Sequence, residues 1–396
     1  MLPELTKDIL TNDFLSTFKL YNTTMKIALV CDDLIQYGGQ EKLILYLHEV
    51  FPEAPLYAAV ASHKWRELCK KEKVNLKSSF MQHLPFVEKL NRFYSVFFTH
   101  VLAFQSFDFS EYDIVLSVSS RYAHMIITKP KTKHIAYVNS PGRMFWEMTG
   151  YFEKERISRF KNLADLLLSF PLSFIKAIDY VSAQRIDILV ANSHIPAKRI
   201  EKYYKRECRI IYPFVDTEVF EMPGVKNGDY YLVITRLVPW KRVDIAITAC
   251  KNLGLKLKIV GEGPDLARLK HISNQNIEFL GFVSEKEKAK LLSECVALIQ
   301  TQYEDFGIVP LEAMASGKSV IAFGKGGVTE TVLPGITGEF YFDQSTEALM
   351  KVLKTFNPAK YSPLECKIRA RKFNKNAFKQ NILGVVLTAS ASSFQD

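Results

Sequence analysis

No uninterrupted apolar run in this 396-residue chain reaches the 18 residues of a membrane-spanning helix. Nor is there a Cys-x-x-Cys pair: Cys31, Cys69, Cys208, Cys250, Cys295 and Cys366 are scattered, and the eight histidines lack metal-ligand spacing. No zinc site is implied. Reduced thiols in a cytosolic protein are the simplest account, with Cys31, Cys250 and Cys295 in apolar stretches that read as core. Asp-x-Asp is absent. No internal repeat, low-complexity linker or nucleic-acid module is evident, so nucleic acid is not an expected partner. Residues 1–24 lack the basic flank and apolar stretch of a secretion signal. With Leu2, Leu5, Ile9 and Phe18 they read as an added helix, or as the product of a misassigned start before Met25.

What is present suits two domains with substantial cores: the length allows it, and hydrophobic residues make up 48%. Strands are expected at Lys26 to Cys31, Tyr112 to Val118, His134 to Val138 and Ile186 to Ala191. A second series follows at Tyr230 to Arg236, Lys256 to Val260, Ile277 to Leu280, Val296 to Thr301 and Ser319 to Ala322. Short apolar strands alternating with amphipathic helices predict an α/β fold of two Rossmann-like halves, each a parallel sheet covered on both faces. The linker reads near Pro213 to Gly228.

The most informative stretch is Glu304-Asp-Phe-Gly-Ile-Val-Pro-Leu-Glu312. It follows a strand and enters a helix near Val309-Pro310, because proline fits a first helical turn whose N–H groups have no partner. Glu304 then lies past a strand's carboxyl end and Glu312 in the first turn of the helix. The amides of Gly307, Ile308 and Val309 between them are free for an anion or a sugar hydroxyl. The plainer reading is an acidic helix start that complements the dipole. Upstream, one strand ends at Arg236, and Lys241 and Arg242 follow after Leu-Val-Pro-Trp. Arginine offers phosphate a planar fork and lysine a mobile point charge, so the pair suits a diphosphate across strand ends; solvated surface charges are the alternative.

Thr235-Arg-Leu-Val-Pro-Trp-Lys-Arg-Val-Asp244 and the spaced Glu304/Glu312 resemble the donor-site motifs of retaining GT-B glycosyltransferases of glycosyltransferase family 4. Gly38-Gly39-Gln-Glu41, Asn192-Ser193 with Arg199, Ile210-Ile-Tyr-Pro-Phe-Val-Asp216, Gly326-Gly327-Val-Thr-Glu330 and Gly335-Ile-Thr-Gly338 agree in order and spacing, over roughly residues 25 to 385. The resemblance implies a deep cleft between an acceptor-binding domain, 25–212, and a donor-binding domain, 213–372, with a C-terminal helix (373–396) crossing back onto the first. It implies catalytic roles for Glu304, Arg236 and Lys241, and donor binding by Gly38, Gly39, Gly263, Gly307, Ile308, Val309 and Glu312. Asn139 and Arg143 would position the acceptor or sugar. Many relatives carry histidine where this chain has Asn139, and asparagine cannot relay a proton near neutral pH. Mannose-transferring members match most closely, so GDP-mannose is the expected donor, ahead of UDP-hexoses, with no metal or other cofactor. A nucleotide-sugar epimerase or a non-catalytic sugar-nucleotide binder is the rival.

The formal charge is +10, and residues 151 to 210 hold 12 Lys/Arg against 7 Asp/Glu. Together with Phe93, Tyr94, Phe97, Phe98 and Phe104, and with Leu166 to Ile175, this suits docking on an anionic membrane surface beside a lipid-linked or glycan acceptor. A core helix flanked by a solvated basic face fits equally. The location implied is cytoplasmic, peripheral on the inner membrane face.

Overall fold

The computed structural model describes residues 25–95, 98–147, 161–221 and 228–392, with the backbone alone at Arg92, Met144, Ser392 and 161–171. Residues 1–24, Phe97 and the 222–227 part of the expected linker lie outside the described residues.

Strand β1 (Ile27–Cys31) is buried at every position, so its apolar run needs cover on both sheet faces. Six more parallel strands join it: β2 (Leu56–Ala58), β3 (Leu76–Ser78), β4 (Ile114–Ser119), β5 (Lys133–Val138), β6 (Ile188–Ala191) and β7 (Arg209–Ile210), in the order β3-β2-β1-β4-β5-β6-β7. The second sheet repeats the plan with β8 (Tyr230–Ile234), β9 (Lys256–Val260), β10 (Ile277–Gly281), β11 (Leu298–Gln300), β12 (Val320–Phe323) and β13 (Gly338–Tyr341), ordered β10-β9-β8-β11-β12-β13. In both sheets the strand order reverses beside the first strand, between β1 and β4 and between β8 and β11. At such a switch point the crossover helices diverge and leave a crevice at the carboxyl ends. The two-halved α/β reading holds.

Helices that matter to the site are α1 (Gly39–Val50), α2 (Lys161–Gln184), α3 (His194–Tyr204), α4 (Val243–Asn252), α5 (Glu285–Glu294), α6 (Ile308–Ala315), α7 (Pro363–Arg371) and α8 (Lys375–Ser392). Helix α5 starts on a reciprocal cap, Ser284 with Glu287, which satisfies two of its orphan N–H groups. Helix α8 crosses back: Phe378, Ile382, Leu383 and Val386 share a core with Leu29, Leu116 and Tyr137 of the first sheet. Val215 N–H donates to Phe373 O at 2.8 Å, and Phe214 packs against Phe378, tying the return crossing to the outgoing one.

Several expected boundaries shift. Strand β8 ends at Ile234, so Arg236 lies in the following turn rather than closing the strand. Helix α6 begins at Ile308, which puts Glu312 in its second turn instead of its first. Strands β2, β3, β7 and β13, two to four residues each, add to the expected set.

Candidate functional site

The turn after β8 and the loop after β11 meet at the second switch point. Lys241 Nζ donates to Glu304 Oε1, and Gln302 Nε2 donates to the same oxygen at 3.1 Å. Thr301 Oγ1 holds the Lys241 carbonyl at 2.8 Å, so the two loops are fastened by backbone as well as by charge. Gly307 follows with φ +88, a left-handed value that a side chain would resist, and it turns the loop into α6. The Gly326-Gly327 loop lies behind: Gly327 N–H donates to Glu304 O at 2.9 Å. A Cβ on Gly327 would stand 2.3 Å from Asp305 O, so only glycine permits this approach.

Glu312 is buried and bonded to Lys288 Nζ at 2.7 Å. Lys288 also contacts Glu285 at 3.1 Å, and Glu285 takes Lys42 of α1 at 2.9 Å, so alternating charges bridge the two halves. Burial alone would lower the Lys288 pKa, but Glu312 and Glu285 more than offset it and hold the ammonium above its ordinary value. A cleft of about 260 Å³ opens here, lined by Tyr37, Gly39, Lys42, Glu285, Ile308 and Glu312 among others. Gly39 approaches α6 so closely that a Cβ would lie 3.2 Å from Ile308 Cδ1. Gly38 forms the extended N-cap of α1, and its own Cβ would meet Glu41 Oε2 at 3.2 Å. Burial pushes the Glu41 carboxyl up from its usual range.

Of the remaining expected residues, Val309 follows Ile308 in the half-buried first turn of α6. Arg236 is exposed and has no ion-pair partner among the described residues. Gly263 packs against the Leu237 backbone, where a Cβ would lie 2.1 Å from the carbonyl oxygen, and supports the Arg236 turn; like Arg236, Lys241 and Glu304 it stands outside the lining of the 260 Å³ cleft. Arg143 pairs with Asp305, the residue after Glu304. Burial would lower the Arg143 pKa, and Asp305 reverses that and raises it. Among the described residues, no three His, Cys, Asp or Glu side chains gather as a metal-ligating group.

Asn139 belongs to a belt along the carboxyl edge of the first sheet. Asn192 Nδ2 donates to Asn139 Oδ1 at 3.2 Å, Asn139 Nδ2 to Ser120 Oγ at 3.3 Å, and Ser120 Oγ to Gln40 Oε1 at 2.6 Å. Gln40 Nε2 ends the run on Asp32 Oδ2 at 3.2 Å. Asp32 also accepts the backbone N–H groups of Ser120, Arg121, Tyr122 and Ala123. At the other end Ser193 Oγ reaches Asn192 Oδ1 at 3.2 Å and Asp305 O at 2.5 Å, across to the second half. Arg199 adds a 2.6 Å contact to Asp305 Oδ1. Sequence reading did not single out Asp32, Gln40, Ser120, Gln302, Lys288 or Asp305 as site residues. A usable signal existed: Asp32, Ser120, Asn139 and Asn192 each stand immediately after the last residue of a strand, where ligands of open α/β sheets lie.

Residues 216–380 match the family model for Glycosyl transferases group 1. The chain is 31% identical over 157 residues to an uncharacterized glycosyltransferase, MJ1178, of Methanocaldococcus jannaschii, covering 38% of this chain and 44% of that one. It is 30% identical over 217 residues to the alpha-1,3/1,6-mannosyltransferase ALG2 of Saccharomyces cerevisiae, covering 41% and 43%. The chain thus spans less than half the length of these two relatives. In structure it superposes on Anabaena Alr3699/HepE in complex with UDP with a TM-score of 0.66 at 18% identity, covering 92% of this chain and 100% of that one. The fold is that of GT-B glycosyltransferase structures: two Rossmann-like domains, each on a parallel sheet.

Proposed function

We propose that the protein is a retaining, metal-independent glycosyltransferase that moves a hexose from a nucleotide diphosphate sugar to a glycan or lipid-linked acceptor. The observation that carries this reading is the Lys241–Glu304 pair at the second switch point, with Arg236 exposed on the adjoining turn. Positive groups fixed beside a departing diphosphate stabilise the charge that develops there. Arg236 and Lys241 hold the diphosphate, Glu304 faces the donor sugar, and the buried Glu312 takes ribose hydroxyls. The bond from the sugar's anomeric carbon to the diphosphate oxygen breaks while a bond from the acceptor oxygen forms on the same face. The departing phosphate oxygen receives the acceptor's proton. Asn139 orients groups without moving that proton.

GDP-mannose is the preferred donor. The ALG2 relative, a mannosyltransferase, supports mannose; the HepE complex contains UDP, but its 18% identity carries the fold alone. The acceptor lies at a membrane surface in surface-polysaccharide or glycolipid synthesis. Phe86, Leu90, Phe93 and Phe174 are exposed on the first domain, and Phe98 packs edge-on to Phe174 at 5.3 Å, which brings the two apolar segments together. No helix among the described residues is long and apolar enough to cross a membrane. Docking by charge weakens as salt rises. The protein should therefore pellet with anionic vesicles at low salt, and equal pelleting on neutral vesicles would remove the membrane claim.

The direct test incubates the protein with labelled GDP-mannose and UDP-hexoses, with and without a chelator. Transfer or slow hydrolysis that survives chelation is expected, with GDP competing better than UDP. Epimerised sugar without transfer favours the epimerase, and loss of turnover restored by magnesium or manganese ends the metal-free claim.

A further inference from the structure

Asp179 of α2 is fully buried, and both of its carboxylate oxygens are engaged. Oδ1 lies 2.8 Å from His124 Nε2, and the other ring nitrogen of His124 lies 2.7 Å from Ser119 Oγ, on the last residue of β4. Oδ2 accepts the indole N–H of Trp146 at 2.6 Å. A carboxylate at such depth costs free energy unless its bonds are complete, and a completed buried network fixes one arrangement of its members. Trp146 is the member with most freedom to lose. It closes the helix Arg143–Trp146, whose four residues make a single turn with no stability of its own in water. The turn therefore sits where its side chains are tied. Besides Asp179, Trp146 stacks on Tyr203 of α3 at 4.8 Å and 17°, and Lys176 of α2 lies over its ring at 4.6 Å. The same segment reaches the second half. Arg143 pairs with Asp305, and Glu147, next after Trp146, meets Arg199 at 3.0 Å, the second cation on Asp305. Asp305 adjoins Glu304.

We infer that Asp179 is a positioning residue for the transfer: through the Trp146 indole it fixes the Arg143–Glu147 segment against Asp305, and so holds Glu304 where the donor sugar lies. The inference rests on the transferase reading above. Asp179 touches no substrate. Its path crosses to the second half at Asp305 and reaches Glu304 without passing the Arg236 turn. A displacement of about 1 Å at a reacting group can cost on the order of 100-fold in rate. A bond lost along this path should therefore lower kcat and spare the hold on the nucleotide.

Trp146→Phe removes the indole N–H and keeps an aromatic ring against Tyr203. Asp179→Asn keeps an acceptor for the indole and drops the charge, which roughly halves the strength of the bond. Sugar transfer, binding of bare GDP and UDP, and melting would be measured on wild type, on both variants, on Asp305→Ala and on each variant combined with Asp305→Ala. Trp146→Phe should lower kcat about tenfold and Asp179→Asn about threefold, the loss of all and of half of one hydrogen bond to a charged group, with nucleotide binding within about twofold of wild type. On the Asp305→Ala background each should change kcat by less than about twofold, because the path is already cut. A purely structural role predicts lower melting with the same effect on kcat in both backgrounds, or none in either, and that result overturns the proposal. Should Trp146→Phe not fold, the Asp179→Asn cycle decides between the same outcomes. If wild type neither binds a nucleotide nor transfers a sugar, the transferase reading fails first and takes the inference with it. Wild-type transfer with equal losses in both backgrounds overturns the positioning role alone.

Discussion

Lys241 and Arg236 carry the same charge and differ in attachment: Lys241 is paired with Glu304, whereas Arg236 stands exposed. Arg236→Ala should leave melting unchanged yet cut turnover roughly 10- to 100-fold, the worth of one charge-assisted phosphate contact of about 1.5–3 kcal/mol. Lys241→Ala should lose as much turnover and a little stability. Lys241→Arg should not fully rescue, because a planar fork and a mobile ammonium differ in reach. Near-normal kcat in both alanine variants would sink the diphosphate assignment. A second residue-level consequence concerns acid. Burial alone would raise the Asp33 carboxyl, but His100 at 3.0 Å and Arg121 at 3.2 Å more than offset it and hold it below the usual carboxylate value. A folded pKa below the unfolded one gives stability that is complete above the unfolded value of about 3.9 and lost as pH falls through the folded value. Asp33→Asn should thus cost about 1–3 kcal/mol in urea unfolding near neutrality. The gap to wild type should close in acid; an equal gap at both ends would contradict the assignment.

Among the elements, the long apolar strands were legible: β1, β5 and β9 fall within a residue of where their hydrophobic runs place them. The short strands β6 and β11 also lie within expected runs and β12 within a residue of one, whereas β2, β3, β7 and β13 were not expected. Motif resemblance singled out Glu304, Lys241 and the glycine loops, and the fold brings Lys241 to Glu304 across 63 residues. Asp305 and Gln40 were missed because their partners are distant: Arg199 is 106 residues from Asp305, and Ser120 is 80 from Gln40. No local pattern encodes such contacts. The Gly326-Gly327 loop tests how tightly neighbouring elements fit. Gly327→Ala must displace the Asp305 carbonyl and Phe306 Cα, both backbone, and should cost about 1–3 kcal/mol by overpacking while disabling the Glu304 loop. Gly384→Ala, inside α8 with nothing within 4 Å of the added carbon, should instead stabilise by roughly 0.5–1 kcal/mol. Matching melting shifts of the two variants would refute this account of the fit.

For the whole molecule, a node at Asp305 fastens the two halves in addition to α8 and the Lys42–Glu285 contact. Asp305 of the second half takes Arg143 and Arg199 of the first, Ser193 holds its carbonyl, and the His194 N–H donates to Glu330 at 3.1 Å. One carboxylate serves two cations; Asp305→Ala removes the Arg143 pair, while Arg199 keeps Glu147 at 3.0 Å and Ser140 at 3.0 Å. The expected outcome is a larger radius of gyration by small-angle scattering and a loss of about 1–3 kcal/mol, the range for charge-assisted hydrogen bonds at a half-buried node. An unchanged radius would show that α8 and the Lys42–Glu285 contact suffice.

The belt that reaches this node has a direction. From Asn192 through Asn139, Ser120 and Gln40, each bond of the run donates in the same sense and the run terminates on the Asp32 carboxylate, with Gln40 Nε2 also reaching Val118 O at 3.1 Å. Aligned dipoles of this kind reinforce one another. A one-way series cannot be edited by polarity alone, because each member must accept on the side of Asn192 and donate on the side of Asp32. At position 139, asparagine and a neutral imidazole meet that requirement, whereas aspartate and leucine break it, although aspartate is as polar as what it replaces. The substitutions this edge tolerates are therefore ruled by the order of donor and acceptor, much as word order rules a sentence whose words are all allowed.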